Sequence, residues 1–501
     1  MKEFESKFRV HPPFVVPELA GGGSPVATVS EPEEQRLEAH YVDTGDLRLA
    51  RLGVTLRYRT GEGADGWDLK VPLGARDEGV RDEIHVPGSP NEAPAELLRL
   101  VSAYVRGQNV CPVASLVTNR SRRRLLGEDG QVLAELADDT VEVLDGDTVT
   151  ARFREIEVED KGGGADVLDA VGKRLRAAGA IRGRFEPKLV RALGPLAGAP
   201  PDPPLPATSF PGKSTVRDVA TAYLRMHVRS LLDADVAIRL GGPDAVHDAR
   251  VAARRLRSTL GTFGDVLVPE TAAQLATDLR WFAGELGGQR DKAVLLDRLR
   301  TAADDLPAQD AASAHAYLDA WADETSEQPP TSVLDDPRYV DLQGRLVDLA
   351  VTPPFTGPAD DPALKQLPVI LRPMLQKFRS RMSDAVKPGA PAEQAHSARI
   401  AGKRLRYAAE ATIPLYGKSA RRYVEALVVL MEELGTHHDA VVALESLRMR
   451  ALAEGTTPAD AFALGVLAAS EREAIDRQTV RVRKAWAKQR DRLKLARLTD
   501  G

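Results

Sequence analysis

The chain has 501 residues, 43% of them apolar and 28% charged. That length and apolar share supply two or more domain cores and exclude a small disulfide-stapled scaffold. The net charge of −5 excludes a uniformly basic coat for nucleic acid, and a single cysteine, Cys111, excludes an intrachain disulfide or a cysteine zinc site.

Short alternating runs come first: Phe4–Val10, Val54–Arg59, Trp67–Val71, Val132–Leu136 and Phe153–Val158. Gly, Asp and Pro clusters separate them, so they predict strands and hairpins. Between Val10 and Tyr41 lies a Gly/Pro-rich insert, read as a lid or a loose hairpin connection. Helical stretches are expected near Pro94–Val105 and Ala165–Ala178. Seven prolines between Gly194 and Lys213 predict an extended, semi-rigid linker. Beyond it, long Ala/Leu/Arg-rich segments follow a 3.6-residue period and predict an all-α half. That half repeats itself. VHDARVAARRLRSTL from Val246 matches AHSARIAGKRLRYAA from Ala395, with His247 and His396 separated by 149 residues. ELGGQRD ending at Asp291 matches ELGTHHD ending at Asp439, separated by 148. A duplicated bundle with a pseudo-two-fold axis is expected. The domains expected are 1–193, a linker over 194–213, and 214–500.

The predicted strands carry unusual faces. Residues two apart share a face. Glu3, Glu5, Lys7 and Arg9 oppose Phe4, Phe8 and Val10; Arg57 and Arg59 oppose Leu56 and Tyr58; Asp68 and Lys70 oppose Trp67, Leu69 and Val71. Glu155, Glu157 and Glu159 oppose Ile156 and Val158, and Arg120, Arg122 and Arg124 share another face. Any one such strand reads as half solvated. Over six strands, stacked like charges need neutralising. Close carboxylates suit a hard divalent cation, and close Arg and Lys suit a multivalent phosphate anion. A sheet closed into a barrel would gather both into one lumen.

ExExK at Glu3–Lys7, with YVDTGDLRLARLGVTLRYR from Tyr41, GWDLKVP from Gly66, RDEI from Arg81, LAELADD from Leu133, REIEVE from Arg154 and the late Lys188, resembles the CYTH family, the triphosphate tunnel metalloenzymes. The resemblance implies an α+β domain built on an antiparallel β-tunnel that binds triphosphate with Mg²⁺ or Mn²⁺. Carried over, Glu3, Glu5 and Lys7 are catalytic. Glu3, Glu5, Glu83, Asp139, Glu155 and Glu157 hold metal, with strand parity favouring Asp139 over Asp138. Lys7, Arg57, Arg59, Lys70, Arg120, Arg122 and Lys188 clamp phosphate.

In the helical half, His247, Arg250, Arg254 and Arg257 fall within about 80° on a helical wheel. His396, Arg399, Lys403 and Arg406 repeat that stripe. No acidic residue interrupts either one. One basic helix reads as a solvated face; two in register read as the lining of a polyanion groove. The repeated H-x-x-R-[VI]-x-x-[RK]-R-L-R resembles the CHAD domain, the conserved-histidine α-helical family. It implies two four-helix bundles with a basic groove for inorganic polyphosphate.

The expected function is a metal-dependent phosphohydrolase for inorganic triphosphate or polyphosphate, with a helical polyphosphate-binding module. The alternatives are a non-enzymatic protein of polyphosphate granules and, behind it, an adenylate cyclase of the CYTH type, for which no base pocket is identifiable. An aromatic content of 5% argues against base stacking on nucleic acid. The opening MKEFESKFRV lacks a signal-peptide core, and no uncharged apolar run reaches the roughly 18 residues of a membrane span. With one cysteine, a cytoplasmic location is expected, possible granule association included.

Overall fold

In the computed structural model, residues 2–61, 63–72, 80–183, 187–324 and 330–499 are described, without the side chains of residues 2, 3, 80, 81, 288–291, 330 and 331. The chain divides into two compact units, Met1–Asp202 and Pro203–Gly501.

The first unit is built on ten strands: β1 (Lys2–Val10), β2 (Thr28–Val29), β3 (Glu33–Asp43), β4 (Thr55–Thr60), β5 (Gly66–Pro72), β6 (Val80–Val86), β7 (Cys111–Leu126), β8 (Val132–Asp145), β9 (Thr148–Asp160) and β10 (Ile181–Arg182). Every pairing is antiparallel. The path runs β10-β1-β6-β5-β4-β3-β7-β8-β9, and β9 pairs back to β1. Along β1, β6 holds residues 2–4 on one edge and β9 holds residues 5–10 on the other. The sheet therefore curls back on itself but is not zipped along its full length among the described residues, so the expected barrel is incompletely closed.

Among the described residues, five helices accompany the sheet: α1 (Arg48–Leu52), α2 (Ala95–Leu100), α3 (Ser102–Val105), α4 (Gly164–Ala177) and α5 (Lys188–Leu193). Strand alternation sends Phe8, Val10, Leu136, Ile156 and Val158 outward, where Val167, Val171 and Leu175 of α4 cover them. Leu189 and Val190 of α5 pack with Tyr41, Leu116 and Val141. The charged positions are left on the inner face.

Two sequence expectations need correction here. The insert after Val10 is neither a lid nor a loose connection. Leu19 and Val26 are buried in the α4 cluster, and Arg174 donates to the carbonyls of Glu18 and Ala20 at 3.0 and 2.9 Å. Its last third is already β3. The first part of the proline-rich segment is also tied down. Gly194–Leu196 forms a 3-10 turn, Arg51 Nε donates to Pro200 O at 2.8 Å, and Arg51 pairs with Asp202 at 2.9 Å.

The second unit is helical: α6 (Val216–Arg239), α7 (Ala245–Thr262), α8 (Pro269–Glu285), α9 (Gly288–Asp304), α10 (Ala308–Asp323), α11 (Pro337–Val351), α12 (Ala363–Ala385), α13 (Ala392–Glu410), α14 (Ile413–Tyr416), α15 (Lys418–Ala451), α16 (Pro458–Gln489) and α17 (Leu495–Thr499). Helices α6, α7, α8 and α11 pack as one four-helix bundle and α12, α13, α15 and α16 as a second; α7 and α13, the repeated helices, pack together. The duplication is imperfect. The segment ending at Asp291 spans the break between α8 and α9, whereas its match ending at Asp439 runs through continuous α15. Helices α9 and α10 then pack on the far ends of α15 and α16, through Leu299, Leu318, Leu447 and Leu467.

Thr215 starts α6 with a capping box, its side chain accepting from Asp218 N while Asp218 accepts from Thr215 N. The second bundle centres on Phe378, fully buried and 5.8 Å edge-on from Trp486. A Cβ on Gly402 would lie 2.8 Å from Phe378 Cε2, which explains glycine where the first copy has Ala253. Phe378→Ala should cost about 3–5 kcal/mol, read as a lower urea midpoint of the helical unit by circular dichroism.

Candidate active site

The inner face of the sheet encloses a cavity of about 540 Å³. Its walls are ionic because the strands alternate. On the β1–β9 wall, Lys7 Nζ lies 2.6 Å from Glu157 Oε1 and 3.4 Å from Glu5 Oε1. Lys188, the first residue of α5, lies 2.7 Å from Glu157 Oε1, 3.0 Å from Asp139 Oδ2 and 3.0 Å from Glu155 Oε1. Arg120 binds Asp139 through two N–H donors, each at 2.8 Å, and reaches Glu157 at 3.4 Å.

Burial works against an ionised Glu157, but Lys188, Lys7 and Arg120 outweigh it and hold its carboxyl well below the usual range. The same carboxylates overcome burial at Lys188 and hold its ammonium well above its ordinary value. Asp139, also buried, is held down by Lys188 and Arg120.

The β4–β6 wall is built on Asp68, 1% exposed. Its Oδ2 accepts from Arg57 Nε at 3.2 Å and Arg59 Nε at 2.9 Å. Lys70 pairs with Glu83 at 3.0 Å, and Arg57 also donates to the Tyr41 hydroxyl at 3.2 Å.

Of the residues expected from the sequence, Glu5, Lys7, Arg57, Arg59, Lys70, Glu83, Arg120, Arg122, Glu157 and Lys188 line this one cavity. Glu3 sits on β1 opposite Arg81, and its side chain lies outside the described residues. Asp139 and Glu155 do not line the cavity. They lie behind its wall, 0% and 5% exposed, under Lys188 and Arg120. Asp139 does face the cavity side; Asp138 faces away and binds Arg154. Glu135 and Glu159, which strand parity puts on the charged faces without a role assigned to them, line the cavity too, and so do Lys161, Tyr41 and His85, which the sequence reading does not single out as site residues. Strand parity with Glu157 was the available signal for Glu159, and parity with Asp139 for Glu135.

Among the described residues, no three His, Cys, Asp or Glu side chains gather closely enough to cage a metal. The donors nevertheless suit a hard divalent ion. Glu5 and Glu157, from paired strands, converge on a single cation, the Lys7 ammonium. Magnesium is commonly held by one or two carboxylates with substrate phosphates supplying further oxygens.

In the helical unit, a second cavity of about 250 Å³ is lined by His247 and Arg254 of α7 and Arg399, Lys403 and Arg406 of α13. The two repeated stripes therefore meet. Among the described residues, the Nε atoms of Arg254 and Arg399 are buried without a hydrogen-bond partner, and that of Arg406 lies 3.3 Å from Glu410 Oε1. Burial, then Arg399, Arg254 and Arg406, push Lys403 down to about 8. Three stripe members point elsewhere. Arg250 reaches Gly287 O at 3.5 Å, Arg257 faces Arg280 and Arg404, and His396 Nδ1 lies 3.3 Å from His438 Nδ1. Burial, Arg399 and His396 lower His438 to about 4.

The CYTH domain model matches residues 1–191, and the CHAD domain model matches residues 222–448. Uncharacterized protein MT2285 of Mycobacterium tuberculosis is 32% identical, over 95% of this chain and 94% of its own. The chain is a CYTH–CHAD protein. Similar solved structures include PptA from Streptomyces chartreusis, 24% identical, covering 55% of this chain and all of that one, TM-score 0.47. Another is the CHAD domain from the plant Ricinus communis, 28% identical, covering 54% of this chain and 94% of that one, TM-score 0.43. In this CYTH–CHAD protein no helix among the described residues is long and apolar enough to cross a membrane.

Lys188→Ala removes one cation from carboxylates that keep Lys7, Arg120 and Arg191 as partners, and should cost roughly 1–3 kcal/mol in chemical denaturation. Glu157 is held below its unfolded value, so its contribution is complete above the ordinary glutamate pKa of about 4.3 and is lost as pH falls through the folded value. The wild type should therefore lose stability on acidification below about pH 4 more steeply than Lys188→Ala.

Proposed function

We propose that this CYTH–CHAD protein is a metal-dependent phosphohydrolase of inorganic triphosphate or polyphosphate, with the helical unit binding the polyanion. One observation carries the reading: Glu5 and Glu157 converge on a single ammonium inside a cavity whose remaining walls are Arg57, Arg59, Lys70, Arg120, Arg122 and Lys188. A chain of phosphates presents charge every few ångströms, and cations on both walls match it.

Water adds to the terminal phosphorus and the bridging P–O bond breaks, giving orthophosphate and a shortened chain. Mg²⁺ or Mn²⁺ bound by Glu5 and Glu157 would neutralise charge on phosphate oxygens. The side chains supply the rest. Lys7 and Lys188, now paired with Glu157, are placed to pass to phosphate oxygens. Arg57 and Arg59, fixed by Asp68, orient the chain, and Arg120 is held against Asp139. On this reading Asp139 and Glu155 are positioning residues for Arg120 and Lys188. Catalysis is then positioning plus electrostatics.

In the helical unit, the cations of α7 and α13 bind the chain, and covalent linkage raises its local concentration for the cavity. Partners beyond the polyanion, polyphosphate granules included, follow only from such binding.

Phosphate release from tripolyphosphate by the full chain should require Mg²⁺ or Mn²⁺ and fall at least about 100-fold in Glu5→Gln or Glu157→Gln. Unchanged release in these variants would sink the assignment. Tight binding with no release would leave the non-enzymatic polyphosphate binder, and cyclic AMP formed from ATP would point to a cyclase.

The groove has its own pH test. Lys403 in the free protein titrates near about 8, and a bound polyanion raises that value. Binding should therefore take up a proton at and above about pH 8, and affinity should fall as pH rises through it. Lys403→Arg, always charged, should flatten this dependence in fluorescence anisotropy with labelled polyphosphate.

A further inference from the structure

The outer face of α16 carries a charge pattern that neither the cavity nor the groove uses. From Arg477 to Arg490 the chain has six basic and no acidic residues, although the whole protein has a net charge of −5. Burial fixes how this stretch is turned. Gln478, Val482, Trp486 and Gln489 face the bundle, 3–8% exposed, and Gln478 Nε2 donates to Glu433 O at 3.1 Å. Arg483 has a structural role, donating to Val386 O at 3.1 Å and Lys387 O at 2.9 Å just beyond the end of α12. Arg477, Arg481, Lys484 and Lys488 are left on the exposed side. At 100° per residue they fall within about 60°, and at a 1.5 Å rise they form a row roughly 16 Å long. The row lies beyond residue 448, where the match to the CHAD domain model ends.

Helix stability does not account for the row. Neighbours in it are three or four residues apart and like-charged, which disfavours a helix. Elsewhere in this unit the same spacing joins opposite charges, Arg345 to Asp341 and Arg239 to Asp235, each at 2.7 Å. The helix dipole favours cations only in the last turn, so it explains Lys488 but not Arg477 or Arg481. Glu473 meets Arg477 at 3.4 Å at one end of the row. Among the described residues, Arg481, Lys484 and Lys488 have no ion pair.

We propose that the outer face of α16 is a docking track for long-chain inorganic polyphosphate. The proposal rests on the reading of the helical unit as a polyphosphate binder. A linear phosphate chain is charged along its whole length, and a straight row of cations can follow it without a pocket. Trp486, the one aromatic residue from 471 to 501, is buried, so the track offers no ring for a nucleic-acid base. Among the described residues from 477 to 490, Val480 is the one large apolar side chain exposed. A helix that inserts into a lipid surface presents a whole apolar face. The row therefore fits a polyanion with neither bases nor acyl chains. Three phosphates cannot reach from Arg477 to Lys488, whereas a long chain can, so the track adds affinity for long chains and little for tripolyphosphate.

The test is calorimetric titration of the full chain with long-chain polyphosphate and with tripolyphosphate, in chelator so that neither is cut. One variant combines Arg481→Gln, Lys484→Gln and Lys488→Gln; all three positions are exposed, and its circular dichroism should match the parent's. It should bind the long chain at least about tenfold more weakly, and the slope of log affinity against log salt should be shallower by about 2, three contacts at about 0.7 each. Its affinity for tripolyphosphate should equal the parent's. A second variant, with Arg481→Lys, Lys484→Arg and Lys488→Arg, should bind the long chain with the parent's affinity and slope. Equal long-chain affinity and salt slope in the parent and the glutamine variant would overturn the proposal and leave the groove of α7 and α13 standing as the polyphosphate site. If that variant kept its long-chain affinity and instead lost binding to duplex DNA or to phosphatidylserine vesicles, the row would serve that partner and the proposal would fall. No long-chain binding by the parent would overturn the reading of the helical unit and the proposal with it.

Discussion

The first unit depends on one constraint: like charges forced onto a single inner face must be neutralised there. Glu157 shows how tightly this is done. Three cations from three elements meet it, Lys7 from β1, Lys188 from α5 and Arg120 from β7. Without them the carboxylates of β8 and β9 would repel one another in a site with little water to screen them. On the proposed reading, a polyanion arriving with a divalent cation would exchange partners with these internal ion pairs and would need no unpaired charge to wait for it.

The helical unit handles charge differently. Arg254, Arg399, Lys403 and Arg406 crowd one small cavity, and among the described residues the Nε atoms of Arg254 and Arg399 have no hydrogen-bond acceptor. Glu410 meets Arg255 and Arg406 on the same helix pair but does not line that cavity. The depressed Lys403 expresses the cost of this crowding. On the proposed reading, the first unit would meet a phosphate chain with charges already paired, and the helical unit would meet it with Arg254, Arg399 and Lys403 crowded together.

Much of this was legible from residue spacing. Period two identified the inner faces of β1, β4, β5 and β9, and the repeated stripe identified α7 and α13. Depth was not legible. Asp139 and Glu155 share parity with lining residues, yet Lys188 and Arg120 close over them, and Lys188 arrives from a helix distant in sequence. His85 was missed because its place on the cavity wall comes from its pairing with Asp68 on the neighbouring strand. The stretch 11–27 was misread because glycines and prolines suggested looseness, while its two buried anchors, Leu19 and Val26, are too few to form a pattern. Pro368 and Pro373 also lie inside α12, where sequence rules favour a break.

Helices α15 and α16 span 34 and 32 residues, and each contributes to two hydrophobic clusters, one with α12 and α13 and the other with α9 and α10. A shared helix pair makes the two clusters cooperative. Backbone amides midway along α15 lie between the two clusters, a placement that favours slow exchange with solvent there. The α9–α10 end and α13, which carries Arg399 and Lys403, thus pack on the same pair of rods.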